Sequence, residues 1–321
     1  MILLGACAAW SLITAGVHDG RPEGVLLAVL AVAAGYAAGR ISGALLPVAA
    51  PCAGASAGLV LAVTVPDLSP APRYAVPLGH AGATAALLAL ATGAACCAAW
   101  AARGPVLRLG LRLLAAGIAL AGAAVGSGMG CAAGAAVLLC SLAAGSMHHR
   151  GAGIVGLALA AALAAGTIWA LAAGALPAGL AEALEGRLTD HRVHLWQDAL
   201  RLARRDAGLG IGPGRFGELS DTAPQGAVPD GRPHSAPLQQ AAEQGLVGVL
   251  LLAAAFGWVL HALWRTPRST PVALTAGAAL TALAVIASAG NALSFAAVTA
   301  GAGLLAGWAT ARPWTGGDVE A

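Results

Sequence analysis

Long apolar segments separated by short polar turns dominate this chain. A membrane-spanning helix needs about 20 predominantly apolar residues, and segments of that kind recur along the sequence. We predict an all-α polytopic integral membrane protein with about ten transmembrane helices. The predicted spans are residues 2–17, 24–41, 44–65, 75–101, 111–126, 128–146, 151–176, 237–263, 271–289 and 292–310.

One polar segment, residues 177–237, interrupts the apolar pattern. It holds eight of the fourteen acidic residues and seven of the seventeen arginines. A chain that concentrates its ionisable groups in one loop is expected to work at the membrane surface, on a substrate held in the bilayer. The chain therefore divides into four parts: N-terminal transmembrane helices at 1–176, the loop at 177–237, C-terminal transmembrane helices at 238–311 and a tail at 312–321.

Composition agrees with a membrane protein. Hydrophobic residues make up 59% and charged residues 10% of the chain, whereas soluble proteins are about 25% charged. The net charge of +3 is too small to indicate nucleic acid binding. All six cysteines lie in apolar segments without metal-ligand spacing. We therefore expect no disulfide framework, no metal site and no cofactor.

The distribution of arginine predicts the orientation, since cytoplasmic loops carry an excess of basic residues. With the N-terminus inside, only Arg21 and Arg73 fall in the short outer turns. We expect a multi-pass protein of the cytoplasmic (inner) membrane, with both termini cytoplasmic and the loop at 177–237 outside. The arginines then on the inner side are Arg40, Arg103, Arg108, Arg112, Arg150, Arg265, Arg268 and Arg312.

Within the outer loop, residues 187–206 have the spacing of a helix with an apolar stripe. Such a helix, with arginines and Trp196, is typical of one that lies in the membrane interface. It would cover the bundle and present Arg192 or His194 to a lipid headgroup. The alternative is an ordinary solvated helix that packs on the bundle.

A glycine-rich segment, residues 208–217, follows this helix. Residues 212–217 match a dinucleotide-binding pattern, but no strand precedes them, so we reject that function. Gly212 and Gly214 allow close backbone approach, and main-chain N–H groups in such a turn can bind an anion. Arg215 adds a guanidinium suited to two phosphate oxygens. The segment predicts a diphosphate cradle, with a plain loop tip as the alternative.

His234 stands immediately before a predicted span. Ser235 suits the N-cap of the following helix, and Pro237 suits its first turn. An imidazole at the mouth of the bundle is suited to proton transfer near neutral pH, although a lone interfacial histidine is more often structural. Glu243 lies two turns into the span and needs a partner there, either a loop arginine or His234.

Two blocks of sequence in this region resemble the O-antigen ligase and O-antigen polymerase-like membrane family. The family hallmark is a histidine, then Asn, Ser or Gln, nine further residues, a glycine, two residues and a second glycine. This chain has His234, Ser235, Gly245 and Gly248 at that spacing. The upstream block, also similar to the family, comprises Arg192, Trp196, Ala199, Leu200 and residues 210–216.

The resemblance implies a helical glycosyltransferase with a GT-C-like fold that works without a metal. Such enzymes transfer a glycan from an undecaprenyl-diphosphate carrier to an acceptor hydroxyl, on a glycan or glycolipid, at the outer face of the membrane. By matching position, His234 is the general base, and Arg192 and Arg215 hold the diphosphate. Glu243 is not part of the resemblance, and we expect it to orient His234.

Two other functions remain open. The family often has a Ser-Arg-Gly element in a mid-chain span, and the nearest segment here, residues 127–130, lacks the arginine. A non-catalytic scaffold in a machine for cell-envelope polysaccharide biosynthesis is therefore an alternative. A transporter for a glycolipid or small solute is a weaker alternative. Transporters place ionisable residues or broken helices near the membrane midplane, whereas no Asp or Glu lies deep in any predicted span of this chain.

Overall fold

The computed structural model describes residues 2–64, 78–147, 149–176, 179, 190–223 and 231–312. All regular structure in these residues is helical. The predicted loop residues 180–189 and 224–230, and the tail from 313 onwards, lie outside them. The helices are α1 Ile2–His18, α2 Glu23–Leu45, α3 Ala49–Thr64, α4 Leu78–Ala101, α5 Pro105–Ala124, α6 Gly128–Ala144, α7 Arg150–Ala172, α8 Asp190–Arg205, α9 Phe216–Leu219, α10 Ala236–Arg265, α11 Thr270–Ser288 and α12 Ala296–Thr310.

Six of these helices are long and apolar enough to cross a membrane. They are α2, α4, α5, α7, α10 and α11. Four shorter apolar helices, α1, α3, α6 and α12, occupy the remaining predicted spans. The prediction of a helical membrane protein is confirmed, while the length criterion is met by six helices and not by ten.

The centre of the bundle is α4, in which residues 82–99 are all buried. Its small side chains let α3, α5, α6, α11 and α12 pack around it. By contrast, only 11% of the α2 span and 17% of the α10 span are buried. Large apolar side chains such as Leu30 and Leu163 are 66% and 69% exposed. Contiguous apolar surface of this kind fits contact with lipid.

The closest packing in the bundle joins α2 to α12 through glycines on both helices. A Cβ atom at Gly39 would lie 2.4 Å from the Leu304 carbonyl oxygen, and one at Gly307 would lie 2.5 Å from that of Tyr36. Small residues drive helix association in lipid because they let backbones approach. The close contact between α2 and α12 therefore requires glycine at these positions, and the glycine-rich composition of the chain is not the only reason for them.

The helices alternate in direction, so the bundle has two chemically distinct ends. What we call the loop end contains α8 and the start of α10, and every acidic residue in the described chain lies there: Asp19, Glu23, Asp190, Asp198, Asp206, Glu218, Asp221 and Glu243. The opposite end, called here the arginine end, contains the C-termini of α2, α10 and α12. The eight arginines predicted to share one side lie at or within about two turns of it.

Candidate functional site

Helix α8 packs on the loop end of the bundle. Its apolar face joins a buried cluster with Leu171 of α7 and Leu238 of α10. Trp196 of α8 and Phe216 of α9 are fully buried in this cluster. The apolar stripe is therefore covered by protein and not by lipid, which agrees with the alternative of a helix packed on the bundle.

Helix α10 is broken at Gly245, the first glycine of the hallmark. This residue has φ 67° and ψ −164°, a conformation that no helical residue adopts. The break frees carbonyl groups of the preceding turn. The glycine-rich segment satisfies two of them, because the N–H of Ile211 donates to the Ala242 oxygen at 2.9 Å and that of Gly212 to the Glu243 oxygen at 3.0 Å.

Two further hydrogen bonds complete the break. The indole N–H of Trp10, from α1, donates to the Gln244 carbonyl oxygen at 3.0 Å. On the other side of the break, the Leu246 N–H donates to the Ala207 oxygen at 2.8 Å. A broken helix in a membrane protein is tolerated where the freed backbone groups find partners in the protein. The glycine-rich segment and Trp10 supply those partners.

Both hallmark glycines are needed for this geometry. A Cβ atom at Gly245 would lie 2.4 Å from the Gly208 carbonyl oxygen, in addition to the strain of a positive φ. One at Gly248 would lie 2.5 Å from the Gln244 Cβ atom. The spacing of three residues between the glycines therefore reflects one break, in which Gly245 turns the backbone and Gly248 lets the two halves of α10 overlap.

Glu243 lies beneath the glycine-rich segment and is only 2% exposed. Its carboxylate accepts hydrogen bonds from the main-chain N–H groups of Gly214 and Phe216 and lies in the field of Arg232. The Gln239 amide is 3.4 Å away. Glu243 was expected to have a loop arginine or His234 as its partner; its hydrogen-bond donors are main-chain N–H groups and the Gln239 amide, and Arg232 adds only electrostatic attraction. The turn that was predicted to hold a diphosphate thus directs two N–H groups at a carboxylate of the protein.

Arg215 connects the glycine-rich segment to the turn between α1 and α2. Its Nη1 donates to the His18 carbonyl oxygen at 2.8 Å, and its Nε lies 3.5 Å from a Glu218 oxygen. Pro213 accepts a hydrogen bond from the Arg21 N–H at 2.7 Å. Arg215 therefore stabilises the C-terminus of α1, and its side chain remains 31% exposed.

Arg192, on α8, has a different environment. Its Nη1 donates to the Ala289 carbonyl oxygen, at the C-terminus of α11, over 3.3 Å. The side chain is partly buried, and this burial lowers the pKa of the guanidinium. Within the described residues no carboxylate pairs with it. The buried Asn291 Oδ1 also lacks a hydrogen-bond partner in the described chain, which makes Asn291 a further candidate residue.

His234 and Ser235 lie at the start of α10. His234 is partly exposed and has φ 52°, a left-handed conformation that costs a non-glycine residue about 1–3 kcal/mol and is concentrated at functional sites. Ser235 occupies the predicted N-cap position and Pro237 the first turn. Ser235 makes no capping hydrogen bond, since its fully buried hydroxyl has no hydrogen-bond partner among the described residues.

The buried carboxylate of Asp198 holds the segment after α9. The sequence alone gave no indication of this structural role. Asp198, which is 8% exposed, accepts hydrogen bonds from the Ser220 hydroxyl at 2.8 Å and the Thr222 N–H at 3.0 Å. Arg201 donates to it at 2.9 Å. Burial raises the pKa of Asp198, but the hydrogen bonds and Arg201 outweigh it and hold the pKa below its ordinary value.

The loop end thus combines two arrangements. One is a contact network that comprises Gly212, Gly214, Arg215, Glu243 and Gly245. The other is Arg192, which binds a carbonyl at the end of α11. Within the described residues no group of three His, Cys, Asp or Glu side chains is placed to hold a metal ion. Comparison of the chain with protein-family models, curated proteins and solved structures finds no match. The chemistry of the site is therefore inferred from its own side chains.

Proposed function

We propose that this protein transfers a glycan from a polyprenyl-diphosphate carrier to an acceptor hydroxyl, in the manner of O-antigen ligases and polymerases. The observation that carries the proposal is that both sequence blocks of the resemblance belong to one folded unit. The glycine-rich segment of the first block supplies the hydrogen bonds that the break in the second block requires. The two blocks are not adjacent in the sequence, so chain connectivity alone does not require them to contact each other.

In the proposed reaction, the His234 imidazole accepts the proton of the acceptor hydroxyl. The acceptor oxygen attacks the anomeric carbon of the donor sugar, and the bond between that carbon and the diphosphate oxygen breaks. The carrier diphosphate leaves with the electron pair. Proton removal by a positioned base contributes about 10²–10⁴-fold to such a rate.

Arg192 is the side chain best suited to the departing diphosphate. A partly buried guanidinium without a carboxylate partner among the described residues is desolvated without full compensation. A diphosphate would supply that compensation as its negative charge develops. Arg215 is a second candidate, but its bonds to His18 and Glu218 already occupy part of its donor set.

The proposed topology has ten spans, with α1, α3, α6 and α12 crossing as well as the six longer helices. The loop end faces outward and the arginine end faces the cytoplasm, in keeping with the excess of basic residues on inner loops. From Gly245 to Arg265 the lower part of α10 rises about 30 Å at 1.5 Å per residue, which equals the thickness of the hydrocarbon core. The break, eleven residues after His234 in the sequence, would then lie at the outer membrane surface.

A scaffold without activity is the second candidate. It is favoured by the internal use of the glycine-rich segment, because the N–H groups of Gly214 and Phe216 donate to Glu243 and not to a ligand. A transporter has less support. Transporters place broken helices at the membrane midplane, whereas this break lies near one end of the bundle.

The test is to express His234→Ala and Arg192→Gln in cells that lack the native copy and to measure glycan chain length and attachment. Arg204→Gln is the matched control, because Arg204 is an exposed arginine on the same helix. We expect both site variants to insert normally and to lose glycan transfer by at least about 10²-fold, while the control retains it. Unchanged glycan in both site variants would exclude the transferase and leave the scaffold.

A further inference from the structure

A cavity of about 300 Å³ lies at the arginine end, between the C-terminal ends of α2, α10 and α12. Three arginines line it, one from each of these segments: Arg40, Arg265 and Arg312. Tyr36 and Thr310 form part of its wall. The volume is at the small end of the range for ligand pockets, which suits a headgroup and not a large solute.

The three cavity arginines differ from their neighbours at the same end. Arg150 donates to the Thr266 carbonyl oxygen at 2.7 Å, and Arg268 to the Ala311 oxygen at 2.9 Å, so both close helix ends. Arg112 lies over the Trp100 ring at 5.1 Å. Within the described residues Arg40, Arg265 and Arg312 make neither a hydrogen bond nor an ion pair.

No acidic side chain of the described chain balances these three charges, because all of those acids lie at the loop end. The only acids that follow the last helix in the sequence are Asp318 and Glu320, outside the described residues. The three exposed guanidinium groups around this cavity repel one another, and a bound anion would reduce that repulsion. The cavity therefore has the electrostatic character of an anion site.

The surface beside the cavity is apolar and aromatic. Tyr36, one turn before Arg40, packs edge-on against Trp258 with ring centroids 5.7 Å apart. Trp258 is 38% exposed and lies about two turns from Arg265 towards the middle of α10. A ligand in this position meets guanidinium groups at one end and an exposed aromatic, apolar flank at the other. Free phosphate would contact only the guanidinium groups and not the apolar flank.

We propose that this cavity binds the phosphodiester headgroup of an anionic phospholipid, with its acyl chains along the exposed faces of α2 and α10. Arginine suits this role because its planar fork donates two parallel hydrogen bonds to phosphate oxygens. Basic pockets between transmembrane helices are known to hold such headgroups. The proposal concerns the opposite end of the bundle from His234 and holds whether or not the protein transfers a glycan.

The test uses the full-length protein, purified in a neutral detergent, with phosphatidylglycerol as the probe and phosphatidylcholine as the neutral lipid. Native mass spectrometry counts retained lipids and gives the affinity of the tightest site. We expect one phosphatidylglycerol to bind more tightly than the rest. Arg40→Gln, Arg265→Gln and Arg312→Gln should each weaken that site about fivefold, since one basic residue near an anionic lipid contributes about 1 kcal/mol.

Arg103→Gln is the matched control, because Arg103 is an exposed arginine at the same end outside the cavity. Equal weakening by Arg103→Gln would overturn the proposal and indicate general attraction of anionic lipid to the basic end. Equal retention of phosphatidylcholine, or displacement of phosphatidylglycerol by millimolar inorganic phosphate, would also overturn it. A full-length chain with Asp318→Asn and Glu320→Gln tests the tail: a gain in affinity of tenfold or more would make the tail the occupant, whereas unchanged affinity supports the lipid.

Discussion

Replacement of Gly245 by alanine tests the broken helix directly. The residue has φ 67° and ψ −164°, a region open almost only to glycine, and forcing alanine into it costs about 1–3 kcal/mol. The new Cβ atom would also lie 2.4 Å from the Gly208 carbonyl oxygen. Overpacking of this kind adds about 1–3 kcal/mol. We expect Gly245→Ala to lower the free energy of unfolding by about 4 kcal/mol.

The matched control is Gly257→Ala, in the same helix. A Cβ atom at Gly257 meets nothing within 4 Å, and alanine is favoured over glycine in a helix by about 0.5–1 kcal/mol. Thermal unfolding in detergent should therefore show a melting temperature about 10 °C lower for Gly245→Ala and an unchanged or slightly higher one for Gly257→Ala. Hydrogen exchange should rise in residues 206–217 for the first variant only, because that segment bonds to the break.

Two outcomes would refute this reasoning. If both variants melt at the same temperature, Gly245 does not hold a conformation that alanine must avoid. If Gly245→Ala is destabilised but exchange in residues 206–217 is unchanged, the glycine-rich segment does not depend on the break. In the second case the hydrogen bonds from Ile211 and Gly212 to the freed carbonyls would carry little of the stability.

Two further predictions concern other parts of the structure. Gly39→Ala should destabilise the α2–α12 contact by about 1–3 kcal/mol because its Cβ atom would lie 2.4 Å from a carbonyl oxygen, whereas Gly24→Ala, in open space on the same helix, should have no effect on thermal unfolding. Since folding lowers the pKa of Asp198, its stabilising contribution is complete above the ordinary carboxyl pKa of about 3.9 and is lost as the pH falls through the lower folded value. The difference in melting temperature between wild type and Asp198→Asn should accordingly shrink below about pH 4. Asp221→Asn, which removes a carboxylate that is 78% exposed and bonds the same Arg201, should differ little from wild type at any pH; a constant deficit for Asp198→Asn down to pH 2 would contradict the assignment.

The length of each apolar segment predicted the helices well. A helix that is surrounded by lipid must be apolar over its whole length, and this requirement can be read from the segment alone. Each predicted span coincides with an apolar helix, and short turns such as residues 102–104 join them. The limit appears at α1, α3, α6 and α12, which are shorter than a standard span. Tertiary contacts and not composition set the ends of these helices, so sequence reasoning could not decide which of them cross.

The sequence singled out candidate site residues, but it did not indicate the contacts that connect them. The hallmark spacing drew attention to Gly245 and Gly248, yet the partners of the break come from Trp10 and from residues 207–212. Trp10 had no signal of its own, since a tryptophan in a first apolar helix is ordinary. The destination of the Gly214 N–H was equally hidden, because a turn rich in glycine can direct its donors inward or outward with the same sequence.

The glycine contact between α2 and α12 bears on how the protein is made. Ribosomes deliver α2 before α12, so the groove at Gly35 and Gly39 lacks its α12 partner until all the helices between them have been synthesised. The α2–α12 contact therefore forms only after α12 has been inserted, and a premature stop codon before α12 would leave Gly35 and Gly39 without the backbone that they contact.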